Sequence, residues 1–163
     1  MIKSADGSRA VLASSGSGGH IYTLDLASGT LTDRGTLGMA DWHSFIMTHD
    51  EKLGVGTSPG SDEIVFVDLS VQPVRKLGTL VLSARPGAGS SQPDAVGGGE
   101  LLHGRTLPVS LRAAGQLALV DVADRSVRSY TPIAPPAPFN PMTCQGCAVH
   151  GVTSRPLGGA HAH

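Results

Sequence analysis

Ile64–Leu80, IVFVDLSVQPVRKLGTL, decides the fold, because two more blocks of 17 residues match it without a gap: Ile21–Leu37 (IYTLDLASGTLTDRGTL) and Leu117–Ile133 (LALVDVADRSVRSYTPI). In each block an apolar tetrad runs into an aspartate (Asp25, Asp68 or Asp121). An apolar residue, a short polar turn and a second, weaker strand follow. Ile64–Leu69 and Leu117–Val122 are apolar at nearly every position, as expected of a strand covered on both faces. The β-branched content, the length of about six residues and the flanking Gly and Pro argue against a helix. Ala27–Thr30, Ser70–Pro73 and Ala123–Ser126 have the Ser, Asp, Gly and Pro content of tight turns. Repetition gives the three aspartates a fold role, in which the carboxylate accepts hydrogen bonds from the backbone of the following turn.

The first two blocks also match upstream, where Asp6–Gly16 (DGSRAVLASSG) aligns with Asp50–Gly60 (DEKLGVGTSPG). One unit therefore reads as inner strand, Asp-containing turn, strand, Gly/Ser hairpin, long strand, turn and outer strand. Short strands recurring at roughly 40–55 residues are the signature of propeller blades. The expected fold is all-β, a β-propeller of about three blades over residues 1–133. The innermost strands are expected at Trp42–Thr48, near Leu102–Ser110 and, for a further start, at Val149–Ser154. The first blade is expected to lack one, because the chain enters it at the turn. Propellers typically have four to eight blades. Three would be a partial propeller, or one that closes by permutation, with a C-terminal strand completing the first blade, or by self-association. Ala84–Glu100 reads as a mobile Gly/Pro/Ser-rich insertion and Ala134–Pro141 as a Pro-rich connector. Residues 142–163 hold the further strand and a Cys/His-containing tail.

With 163 residues and a formal net charge of −1, the chain has the length of one domain and no basic stripe, which sets nucleic acid aside. No apolar run reaches the length of a membrane span. Met1–Gly7 reads as a turn rather than a signal peptide, so the expectation is a cytosolic protein or a piece of a longer exported one.

Two constellations can carry chemistry. Cys144 and Cys147 are the only cysteines, His150 follows at the same interval, and His161 and His163 lie in the tail. Thiolate and imidazole suit zinc or copper, and a Cys-x2-Cys turn brings two sulfurs to one ion. A disulfide or an idle thiol pair is the alternative. The spacing does not fit a c-type haem, and the βαβ context of a thioredoxin-like pair is missing. The second constellation is positional: His43, His103 and His150 each stand at an expected inner-strand start, from which three imidazoles could face one funnel. Ordinary hydrogen bonding at strand starts is the plainer account of each. Trp42 and Phe45 read as packing, His49-Asp50 as a turn and His20 as solvated. No Gly-x-Ser-x-Gly elbow, Walker motif or dinucleotide motif occurs.

The apolar-Asp-Leu strands at Ile21–Leu26 and Ile64–Leu69, with the His-Gly pairs at His103-Gly104 and His150-Gly151, resemble bacterial YVTN-type, lactonase-like β-propellers. That resemblance implies a fold shared by binding proteins, amine-dehydrogenase-like subunits and lactonases. Cys144–Gly151 and the tail are also similar to Cys and His-Gly elements of exported zinc-metallochaperone propellers. The function expected is a non-catalytic binding or scaffold module, with a protein, small molecule or metal as ligand. A zinc or copper protein using the C-terminal cluster is the first alternative, and a lactonase-like or dehydrogenase-subunit enzyme the second. Chain copies, or the remainder of a longer propeller, are the expected assembly partners.

Overall fold

The computed structural model describes residues 2–14, 18–38, 42, 44–57, 63–82, 95–96, 101–111 and 116–132. These form twelve strands and, among the described residues, no helix. The first sheet comprises β1 (Ile2–Lys3), β2 (Arg9–Ala13), β3 (His20–Asp25) and β4 (Leu31–Thr36). The second comprises β5 (Ser44–Met47), β6 (Leu53–Thr57), β7 (Glu63–Asp68) and β8 (Arg75–Val81). The third comprises β9 (Ala95–Val96), β10 (Thr106–Leu111), β11 (Gln116–Asp121) and β12 (Ser126–Pro132). Each is an antiparallel meander in sequence order. These are propeller blades.

The middle blade shows why the Asp-bearing strand is apolar throughout. Ile64, Val65, Phe66 and Val67 are all fully buried. Because side chains alternate across a strand, Val65 and Val67 pack with Val11 and Ile21 of the first blade. Ile64 and Phe66 pack with Leu107, Val109 and Val120 of the third. The outer strands β4, β8 and β12 are the exposed ones, as their weak patterning leads one to expect. Trp42 and Phe45 do pack together, edge to face with centroids 5.5 Å apart. Their rings lie over β6, where a Cβ at Gly56 would fall 1.6 Å from a Trp42 ring carbon.

Three sequence expectations are corrected. The first blade does have an inner strand: Ile2 pairs with Val11 and Lys3 with Ala10. Its sheet thus reaches four strands without borrowing one by permutation. The inner strand of the third blade is β9, inside the stretch read as an insertion, and it pairs with Ser110 and Leu111. Finally, residues 102–105 are a turn rather than the start of an inner strand. His103 and Gly104 take φ of 52° and 67°, a left-handed geometry that glycine adopts freely and histidine more readily than most residues.

Candidate functional site

Among the described residues, the turns at 4–8, 26–30, 48–52, 69–74, 102–105 and 122–125 lie at one end of the blades, where most of the ion pairs sit. Each repeated aspartate caps its turn. Asp25 Oδ1 accepts from the N–H groups of Ala27 (3.1 Å) and Ser28 (2.7 Å). Asp68 Oδ1 accepts from the Ser70 N–H at 3.0 Å, and Asp121 Oδ1 from those of Ala123 and Asp124, both at 3.1 Å. The Ser28 N–H and hydroxyl hold the Asp25 carboxyl below its ordinary value, and the Ser70 hydroxyl and N–H do so for Asp68. Burial opposes ionisation of Asp121, which is 1% exposed. The Asp124 N–H and the guanidiniums of Arg128 and Arg105 outweigh that and bring its carboxyl to about 2.

The preceding turns of the first two blades are built alike. Ser4 Oγ donates to Asp6 (2.6 Å) and accepts from the Arg9 N–H (3.0 Å). Thr48 Oγ1 donates to Asp50 (2.6 Å) and accepts from the Leu53 N–H (3.1 Å). Arg9 stands opposite Asp25, Leu53 opposite Asp68 and Thr106 opposite Asp121. The carbonyls of Ser8, Lys52 and Arg105 accept from Leu26, Leu69 and Val122. These contacts make Ala5 the counterpart of His49, Arg9 of Leu53 and Thr106, and Gly7 of Glu51. The third blade's turn, residues 102–106, is one residue shorter: counted back from the strand, Gly104 aligns with Glu51, whereas the N–H that closes the turn on its first carbonyl is that of Arg105.

On that correspondence the two seams between blades differ. In the first seam Glu51, from the second blade, reaches back to the first. Its Oε1 accepts from the Ala5 N–H at 2.8 Å, and its Oε2 from Arg9 Nε at 3.1 Å and Nη2 at 2.5 Å. The Arg9 guanidinium and then the Ala5 N–H hold the Glu51 carboxyl below its ordinary value, against the repulsion of Asp6. Glu51 does this from φ 60°, where a non-glycine residue costs roughly 1–3 kcal/mol. Arg34 adds a second polar tie, donating to the carbonyls of Leu69 (3.1 Å) and Val71 (2.9 Å). Among the described residues, the void lined by Arg9, Arg34 and Glu51 in this seam is about 50 Å³.

In the second seam Leu53 replaces the arginine and Gly104 the glutamate. A cleft of about 420 Å³ opens there, walled by His49, Asp50 and Leu53 of the second blade and Gly104, Arg105 and Val122 of the third. Arg105 is anchored through Nε to Asp121 (2.8 and 3.0 Å) and through Nη2 to Asp124 (2.7 Å). From the turn at 122–125, Arg125 Nη1 donates across the seam to the Leu77 carbonyl at 3.2 Å.

Of the expected site residues, His103 lies in the β9–β10 turn, at this end of the blades. His43, Cys144, Cys147, His150, His161 and His163 lie outside the described residues, as do the Pro-rich connector and the C-terminal segment. Among the described residues no three His, Cys, Asp or Glu side chains group as metal ligands, and no helix is long and apolar enough to cross a membrane. His20 is not simply solvated: its Nδ1 meets Asp33 Oδ2 at 3.0 Å and its ring stacks on Tyr22. Sequence reasoning missed Glu51, Gly104 and Arg105. The signal was present, since Thr106 precedes Asp121 by the same interval as Leu53 precedes Asp68, which aligns Gly104 with Glu51.

Comparison with solved structures supports the architecture. The chain superposes on a structure of U3-55K with a TM-score of 0.59 at 14% identity, covering 80% of this chain and 38% of that one. It superposes on a periplasmic gluconolactonase of Pseudomonas aeruginosa with a TM-score of 0.58 at 19% identity, covering 80% and 39%. A Bacteroides fragilis protein described as a candidate 6-phosphogluconolactonase gives 0.55 at 16% identity, covering 81% and 38%. The shared property is the propeller fold, including that of gluconolactonase-type propellers. The chain spans less than two-fifths of the length of each of these proteins. No protein-family model matches the chain, and no curated protein matches it in sequence.

Proposed function

We propose that this chain is a run of propeller blades acting as a binding module, with the cleft between the second and third blades as its recognition surface. The observation that carries this reading is the inequality of the seams. The repeated aspartates close turns, and Glu51, Arg9 and Arg34 close the first seam. The second seam keeps a polar-rimmed cleft over a rigid apolar base. Pockets that bind small ligands are mostly apolar, with a few placed polar groups, and run from about 300 Å³ upward.

The ring would extend beyond three blades, either through further blades or through a second copy of the chain. Val65 and Val67 are fully buried under the first blade, whereas their counterparts Tyr22 and Leu24, which face away from the second blade, are only partly buried. Leu117 and Leu119 form the matching partly buried face of the third blade.

A lactonase-like activity is the second reading, favoured by two of the structural likenesses. The two readings separate on glucono-δ-lactone and 6-phosphogluconolactone, with acid release followed in lightly buffered solution. A binding module leaves hydrolysis at the spontaneous rate. Saturable acceleration that scales with protein concentration would overturn that reading in favour of an enzyme.

A further inference from the structure

We infer that the cleft between the second and third blades binds a small organic carboxylate with an apolar body. In the neighbouring seam a carboxylate already sits at the turn end between the two blades. There the Glu51 carboxylate is held by one backbone N–H, that of Ala5, and by the Arg9 guanidinium. In the second seam the turn with the same hydrogen-bond pattern presents the His49 N–H at the position of Ala5. Among the described residues it meets no acceptor. A guanidinium is again at hand in Arg105, now from the opposite wall. Its contacts to Asp121 and Asp124 use Nε and Nη2, which fixes the group and leaves Nη1 for a ligand.

What the second seam lacks is the side chain that carries the carboxylate. Counted back from the strand, Gly104 aligns with Glu51 in a turn one residue shorter, and a Cβ built on it meets nothing within 4 Å. The cleft is thus the first seam's cradle with its acid removed and its volume opened. Asp50 on the rim does not argue against an anion. Its counterpart Asp6 lies close enough to Glu51 to repel it, yet the guanidinium and N–H still hold the Glu51 carboxyl below its ordinary value. The remaining wall is apolar, from Leu53 and Val122, and selects a hydrocarbon body over a sugar.

The inference rests on the binding-module reading, and the two fail separately: lactone turnover decides the module, whereas the following titrations decide the ligand class. Phenylacetate and its neutral analogue phenylacetamide are titrated into the full chain by calorimetry, then into Gly104→Glu. Glu51 shows that a glutamate is held near φ 60° in the second blade's turn, Gly104 lies at φ 67°, and a Cβ there meets nothing within 4 Å, so the variant is expected to fold. The strand circular dichroism of the two proteins checks this. The expected result is saturable phenylacetate binding, at least tenfold weaker phenylacetamide binding, and loss of phenylacetate binding in Gly104→Glu as its own carboxylate fills the cradle. Equal affinity for acid and amide would overturn the carboxylate class. Undiminished binding in a folded Gly104→Glu would overturn the site, and so would no binding of phenylacetate to the wild-type chain. If Gly104→Glu does not fold, competition read on the His49 amide resonance replaces it: a shift with phenylacetate alone supports the site, and no shift overturns it.

Discussion

The two blade seams solve one problem with different chemistry. The first is closed at the turn end by charge-assisted hydrogen bonds, Glu51 to Arg9 and Ala5 and Arg34 to the Leu69 and Val71 carbonyls. The second rests on a larger apolar cluster, with Ile46, Val55, Ile64, Phe66 and Leu82 meeting Leu107, Val109, Leu111, Ala118, Val120 and Val122. Burial of that many apolar side chains holds the two sheets together with Arg125 to the Leu77 carbonyl as a lesser tie, since each fully buried aliphatic or aromatic side chain is worth about 1.5–3 kcal/mol. The seam with the deeper apolar contact can therefore leave its rim open, whereas the seam with the smaller cluster is closed at the rim. An open rim beside a rigid base is where a ligand can be accommodated without loosening the fold.

The largest expected effect tests the apolar half of this comparison. Phe66→Ala removes a fully buried ring from the second seam and should cost about 3–5 kcal/mol in urea unfolding. Ile21→Ala, in the smaller cluster of the first seam, should cost about 2–5 kcal/mol. If Phe66→Ala cost less than Ile21→Ala, the second seam would not be the one held by packing.

The fold was legible because the fully buried tetrad of β7 and its two counterparts are long enough to show a pattern. The parts that were not legible are short. β1 and β9 are two residues each, and two residues carry no periodicity. They are strands only because a neighbouring strand pairs with them, and that is invisible in local composition. The site was less legible than the fold. Reading His103 as a strand start hid the turn in which Gly104 occupies the place of Glu51. The histidines and cysteines drew notice by their chemistry, whereas the cleft is marked by what Leu53 and Gly104 omit. An omission shows only after the blades are in register.

The next effect sharpens the polar half. Arg9 is 53% exposed on its side chain and Glu51 17%, so solvent screens the pair and Arg9→Met should cost only about 0.5–1 kcal/mol at neutral pH. The sign of its pH dependence is fixed. Glu51 has a lowered carboxyl pKa in the folded state, so the clasp adds stability above the unfolded value and loses it as the pH falls through the folded value. The gap between wild type and Arg9→Met, followed by urea midpoints, should therefore close in acid. A gap unchanged by pH would mean that Arg9 contributes through its methylenes and not through the ion pair. The Asp121 turn of the third blade should outlast the clasp in acid, because its carboxyl stays ionised down to about 2.

The smallest effect asks whether the seams differ by residues or by geometry. Leu53→Arg with Gly104→Glu writes the first seam's clasp into the second. Each change alone should destabilise: Leu53→Arg loses contact with the apolar cluster, and Gly104→Glu places a side chain at φ 67°. Together the two should recover about 0.5–1 kcal/mol of coupling in a double-mutant cycle, the scale of a partly exposed ion pair. The same double variant should not bind phenylacetate. Coupling near zero would mean that the second seam holds its sheets at a spacing or angle that no side-chain pair of this length can bridge. The cleft would then follow from how the third blade packs, and Gly104 would be its consequence. Coupling of the expected size would make the cleft a product of two residues, Leu53 and Gly104, on an otherwise repeated scaffold.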